Sequence, residues 1–153
     1  MTEKPLLVLD FDGVIIDGMT EYWSSSHQTF IDLVSKHKQK IHFPSTEIPK
    51  NFKNLRPWVH HGWEMVLLAA ECSCSNSRLN LRGIEAFSSN YSKECALALE
   101  KWEWTPKQLQ EALNQTRRNA ILNNANQWLN THKPFPSVVQ RLQILDNEKI
   151  EFA

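Results

Sequence analysis

The sequence has no excess of either charge, no apolar run long enough to cross a bilayer and no cysteine framework, and each lack removes a class of function. Lys plus Arg and Asp plus Glu number 17 each, so no whole-chain field gathers nucleic acid, anionic membrane or acidic substrates. Recognition of charge is therefore local. The longest apolar runs, Leu6-Leu7-Val8-Leu9 and Val66-Leu67-Leu68-Ala69-Ala70, fall far short of the ~20 residues of a membrane span. The segment Met1-Thr2-Glu3-Lys4-Pro5 carries neither the apolar core nor the small-residue cleavage site of a secretory signal. The expected location is the cytoplasm, with neither membrane nor nucleic acid as a partner. Cys72, Cys74 and Cys95 form an odd count without framework spacing and read as free thiols. The pair Cys72-Ser73-Cys74 is spaced too closely for a usual structural zinc site and has no second pair to complete one.

What is present fits one ordinary domain, or a small core carrying an inserted subdomain, in 153 residues. Leu6-Leu7-Val8-Leu9 stops at Asp10-Phe11-Asp12-Gly13, which reads as a central parallel strand buried on both faces and ended by a turn. Helical patterns follow over about 20–37, 57–71, 92–101 and 106–129. In the second, Val59, Trp63, Val66, Leu67 and Ala70 recur at helical spacing. Ahead of the fourth, Thr105 offers a cap and Pro106 fills the first turn, where a missing N–H costs little. The segments 38–56, with Pro44 and Pro49, and 73–80 read as loops. After Lys133-Pro134-Phe135-Pro136 a short helix over 137–145 puts Val138, Leu142 and Leu145 on one face. A turn at 146–149 follows, and a strand begins at Ile150. The order is a βαβ crossover with a helical insertion after its first strand.

Asp10 and Asp12 stand two residues apart at the C-terminal end of the expected strand, the edge at which open α/β sheets place ligands. Two carboxylates at this spacing can divide labour. One attacks phosphorus to form an acyl phosphate, while the other protonates the leaving alkoxide and later deprotonates water. Gly13 lets the backbone turn tightly enough for phosphate to approach amide N–H groups. A hard divalent cation, most naturally Mg²⁺, would be held by the carboxylate oxygens and offset their charge against a phosphate dianion.

The stretch LLVLDFDGVIID, residues 6–17, resembles the first motif of the haloacid dehalogenase superfamily: an apolar strand, then Asp-x-Asp-Gly-[Thr/Val]-[Leu/Ile]-x-[Asp/Asn]. The resemblance implies that Asp10 is the nucleophile and a magnesium ligand, and that Asp12 is the general acid/base and lends the metal its backbone carbonyl. It further implies an α/β fold: a partial Rossmann-like core of about two parallel strands with a large inserted all-helical cap. The divisions would be 1–17, first core strand and nucleophile loop; 18–133, helical cap; and 134–153, core helix and start of a second strand. Gly18 replaces the Ser or Thr that usually follows the position of Asp17, so Asp17 is expected to act as a hinge or cap. An acid at position 12 points to phosphate esters or phosphomutase chemistry rather than to halides, and the helical block is similar to the caps of phosphoglycolate phosphatase-like and β-phosphoglucomutase-like members. The implied substrate is a small phosphorylated metabolite.

Three later elements of that superfamily have no counterpart here: a Ser or Thr ending the second strand, a Lys, and acids ending the fourth strand. The expectation is a C-terminally truncated member. Losing one preorganised donor costs about 10²–10³ in rate, so efficient turnover by the chain alone is not expected. The open sheet edge invites self-association or a complementing chain. The alternative is a non-catalytic helical binding module that keeps the first motif as a relic. Arg56 is a candidate for a substrate carboxylate or phosphate, because a guanidinium fork suits either; the competing expectation is a surface arginine. His60 and His61 are adjacent and cannot share a helix face. Trp58, Trp63, Trp102, Trp104 and Trp128 are expected to pack the cap, and Arg117-Arg118 to lie on a solvated face.

Overall fold

The computed structural model describes residues 6–36 and 47–152. It divides into two compact units: one takes both ends of the chain, Met1–Glu21 and Asn126–Ala153, and the other is Tyr22–Ala125. The fold is predominantly helical. Strands β1 (Leu6–Leu7), β2 (Ile16–Asp17), β3 (Lys133–Pro134) and β4 (Glu151–Phe152) are two residues each. β1 pairs in parallel with β4, Leu6 opposite Glu151, and β2 pairs antiparallel with β3, Ile16 opposite Pro134. Among the described residues the strands form these two pairs and no wider sheet. No helix among them is long and apolar enough to cross a membrane.

The unit holding both chain ends contains helix α8 (Pro136–Asn147), which leads directly into β4. Pro136 occupies its first turn and Phe135, rather than the expected Ser137, is the capping residue. Val138, Leu142 and Leu145 line a groove with Leu7 and Leu9, the residues flanking Val8 on the first strand segment. The expectation that this segment is buried on both faces is corrected: Leu6 is 60 % exposed and Val8 70 %. A strand is buried on both faces only when layers cover both, and within this unit β1 has a single strand neighbour. The pairing of β2 with β3 was not anticipated, since Lys133-Pro134 carries no β signal and proline is confined to sheet edges and strand ends.

The helical unit comprises α2 (Lys50–Leu55), a single 3₁₀ turn (Arg56–Trp58), α3 (Gly62–Ser73), α4 (Arg78–Arg82), α5 (Ile84–Ser89), α6 (Tyr91–Trp102) and most of both α1 (Met19–Lys36) and α7 (Pro106–Leu129). Two expectations fail here. Residues 50–55 and 78–80, read as loops, are helical, and the helix expected from 57 starts at Gly62, where the carboxylate of Glu64 accepts the N–H groups of His60 and His61 (2.6 and 3.2 Å). Residues 38–46 of the expected loop lie outside the described residues. The anticipated start of α7 is present as a reciprocal cap: Thr105 Oγ1 accepts the Gln108 N–H at 3.2 Å and Gln108 Oε1 accepts the Thr105 N–H at 2.9 Å. A break at Asn124 (φ −162°) interrupts this helix near its end.

Met65 to Ala70 are buried without interruption, so α3 is the central helix of the unit. Phe30, Phe52, Leu55, Leu79, Phe87, Leu109 and Leu113 are fully enclosed with it. Gly62 permits a close approach of α7, because a Cβ there would meet the Gln110 side chain at 3.0 Å and Leu113 at 3.2 Å. The carboxylates inside the unit are bonded rather than isolated. Glu71, completely buried, accepts Trp102 Nε1–H (2.9 Å) and the Leu79 N–H (3.0 Å). Its carbonyl, at the end of α3, accepts Ser77 Oγ–H (2.5 Å) and the Asn80 amide (3.2 Å). Glu94 takes Arg78 at 2.7 Å and Arg82 at 3.2 Å. One helix end, α4 and α6 are thereby tied through charged acceptors, which satisfy groups that helix termini otherwise leave open.

Candidate active site

The loop that follows β1 is closed on itself. Phe11 C=O accepts the N–H groups of both Ile15 (3.0 Å) and Ile16 (3.1 Å), and the Gly13 N–H donates to Ile16 C=O at 2.8 Å. Asp12 and Ile16 form an isolated bridge. Gly13 sits at φ +77°, with nothing within 4 Å of where a Cβ would lie. Glycine is required there for backbone conformation, not for space. Beyond the turn, β2 is held by β3, and the Phe135 N–H donates to Ile15 C=O at 2.9 Å. Asp17 fulfils the expected capping role: its carboxylate accepts the Met19 N–H at 2.9 Å as α1 begins.

Asp10 and Asp12 are both exposed on this loop, one before and one within the closed turn. Asp10 Oδ1 accepts the Phe11 N–H at 2.8 Å. The structure therefore brings Asp10, Asp12 and Gly13 together on a single short loop at the C-terminal end of a parallel strand. Arg56 belongs to the helical unit. There it lies in the 3₁₀ turn with its guanidinium 4.9 Å above the Tyr22 ring, a cation–π contact that gives it a packing role. His60 and His61 are both exposed.

The donor chemistry of the loop suits a hard cation. Two solvated carboxylates supply oxygen ligands at little desolvation cost, and Mg²⁺ commonly takes one or two carboxylates while keeping several waters. Among the described residues no group of three or more His, Cys, Asp or Glu side chains is placed to enclose a metal ion. Sequence reading did not find the clip formed by Ile15, Ile16 and residues 133–135, which fixes the far side of the loop. It rests on backbone hydrogen bonds and so leaves no side-chain signature. No protein-family model, no curated protein and no solved structure matches this chain.

Proposed function

We propose that the loop at residues 10–13 is the nucleophile segment of a magnesium-dependent phosphohydrolase of the haloacid dehalogenase type, acting in the cytoplasm on a small phosphate ester. The observation that carries this is the joint exposure of Asp10 and Asp12 on the loop that follows β1, Asp10 just before the backbone-closed turn and Asp12 within it. An Asp10 oxygen attacks phosphorus, and the P–O bond to the alkoxide breaks as the acyl phosphate forms. Asp12 serves as the general acid toward that alkoxide and then as the general base toward the water that releases phosphate. Mg²⁺, when bound by Asp10 and Asp12, would screen the repulsion between carboxylate and phosphate. The exposed edge and side chains of β1 support the further proposal that a second chain, or a second copy, completes the sheet.

A second reading, a binding module that keeps the loop without turnover, is favoured by one observation. The N–H groups of Phe11 and Gly13, which a phosphate would otherwise recruit, are engaged by Asp10 and by Ile16. The two readings separate in a paired experiment on the purified chain. Magnesium-dependent hydrolysis of an aryl phosphate is measured beside ¹⁹F NMR of the beryllofluoride adduct, an acyl-phosphate mimic, for wild type, Asp10→Asn and Asp12→Asn. The phosphohydrolase reading expects an adduct in wild type and Asp12→Asn, and none in Asp10→Asn. Absence of both turnover and adduct in wild type overturns it in favour of the binding module.

A further inference from the structure

The last turn of α6 ends in Trp102-Glu103-Trp104, and its geometry is unusual for these residue types. Glu103 adopts the left-handed conformation, φ +55° and ψ +38°, at the position where helices ordinarily place glycine. Its N–H and that of Trp104 close the helix by bonding back to the carbonyls of Glu100 and Leu99. The reversal folds Trp104 onto Trp102, ring centroids 4.8 Å apart and 14° from parallel. Phe30 packs edge-on against both. Trp102 is fixed further by its hydrogen bond to buried Glu71. A non-glycine residue held in this conformation is strained, and such strain concentrates at functional positions.

The stacked pair lines a cavity of about 340 Å³ within the helical unit, together with Leu33, Val34 and Ala112 on its apolar side. Glu103, Gln108 and Glu111 line the same cavity, so two carboxylate-bearing side chains border it. Glu111 also faces Lys107 at 3.9 Å, a long contact between two largely exposed side chains, of the kind that holds a carboxylate weakly. Fixed indole rings, an apolar wall and two carboxylates make a combination that neither a neutral apolar ligand nor an anion would need. A small cation carrying alkyl groups uses all three: aromatic rings attract its charge, the wall accepts its methyl or methylene groups, and the carboxylates balance it. Trp102 and Trp104, expected only to pack the unit, thus do so around an opening, whereas Trp58 is exposed.

We propose that this cavity is a binding site for an alkylammonium ion, independent of the Asp10 loop. The site needs no metal and no covalent step. Its specificity would rest on Glu103 being placed, at the expense of backbone strain, where glycine would fold more readily.

The test is isothermal titration calorimetry of the full chain with choline chloride against its neutral isostere, in which a quaternary carbon replaces nitrogen, at constant ionic strength. Indole N–H NMR signals report where binding occurs. Saturable choline binding that shifts the Trp102 and Trp104 signals is expected, with the isostere weaker by between about twofold and thirtyfold. Glu103→Gln and Glu103→Gly should each weaken choline about two- to fivefold. Glu103→Gly relieves the left-handed strain, so it should melt no lower than wild type, which separates binding from folding. Equal binding of the isostere, unchanged affinity in a Glu103→Gln/Glu111→Gln double variant, or no saturable signal over the millimolar range would overturn the proposal.

Discussion

Replacing Glu71 by alanine tests whether the helical unit is held by its buried carboxylates or only by its apolar interior. Glu71 is fully buried and accepts two hydrogen bonds, from Trp102 Nε1 and the Leu79 N–H. A hydrogen bond to a charged group contributes about 1.5–3 kcal/mol, and each buried donor left open costs about 1–3 kcal/mol. Removing the carboxylate also ends its own desolvation cost, which pulls the net loss toward the lower end of that range, about 3 kcal/mol for the two bonds together. Against a domain stability of roughly 5–15 kcal/mol, such a loss brings the unit close to unfolding. At about 4–8 °C per kcal/mol for a domain near this size, even the lower bound lowers Tm by roughly 12 °C. Glu71→Gln keeps one acceptor and turns an amide donor toward the other N–H, so about half the loss is expected. Urea unfolding followed by tryptophan fluorescence and far-ultraviolet circular dichroism measures all three, with exposed Glu85→Ala as a control. A loss below about 1 kcal/mol in Glu71→Ala, or equal losses in the alanine and glutamine variants, would refute the reasoning.

Two further outcomes follow from the interior of the same unit. His27 stacks on Trp23 at 4.7 Å, and burial lowers its pKa from the ordinary 6.5; the folded state therefore binds fewer protons than the unfolded one, and stability falls as pH drops through that value. Tm should decrease from about pH 7.5 to about pH 5.5, and His27→Phe should flatten that dependence, whereas an unchanged slope in the variant would exclude His27 as its source. Burial above all pushes the thiols of Cys72 and Cys95 up to about 12, leaving them almost wholly protonated at pH 8. Under native conditions iodoacetamide should label Cys74 first and the other two only on denaturation, as read by peptide mass spectrometry; early labelling of Cys95 would contradict its burial.

Legibility in the sequence followed the kind of interaction involved. The start of α7 was readable because Thr105, Pro106 and Gln108 act on their own neighbours, and local rules suffice. The parallel approach of the two terminal strands was readable from apolar runs and order alone. The burial of β1 was not, because four apolar residues in a row imply a covered strand only if layers exist on both faces. Helix α2 was hidden by a polar, proline-flanked sequence, and only Phe52 and Leu55 face inward. The buried glutamates were invisible for a similar reason. Glu71 and Glu94 read as breaks in an apolar pattern, and their partners Arg78, Leu79 and Trp102 are supplied by the tertiary fold. On the candidate site, Asp10, Asp12 and Gly13 were singled out by their spacing, and the backbone bonds that close the turn from Phe11 to Ile16 were not legible, since every residue type carries the same C=O and nearly every one the same N–H.

The pairing of Leu6 with Glu151 sets an order of events during synthesis. The first strand leaves the ribosome with its hydrogen-bonding edge open and meets its partner only when Glu151 and Phe152 follow, 145 positions later. The intervening helical unit has its own apolar centre and its own ionic ties, and it can fold in that interval. Once it has done so, the chain still to be ordered between the two strands shrinks to about 40 residues, which lowers the entropy of closure by about 1 kcal/mol. The loop carrying Asp10 and Asp12 thus leaves the ribosome before the helical unit and is among the last segments to be fixed in place.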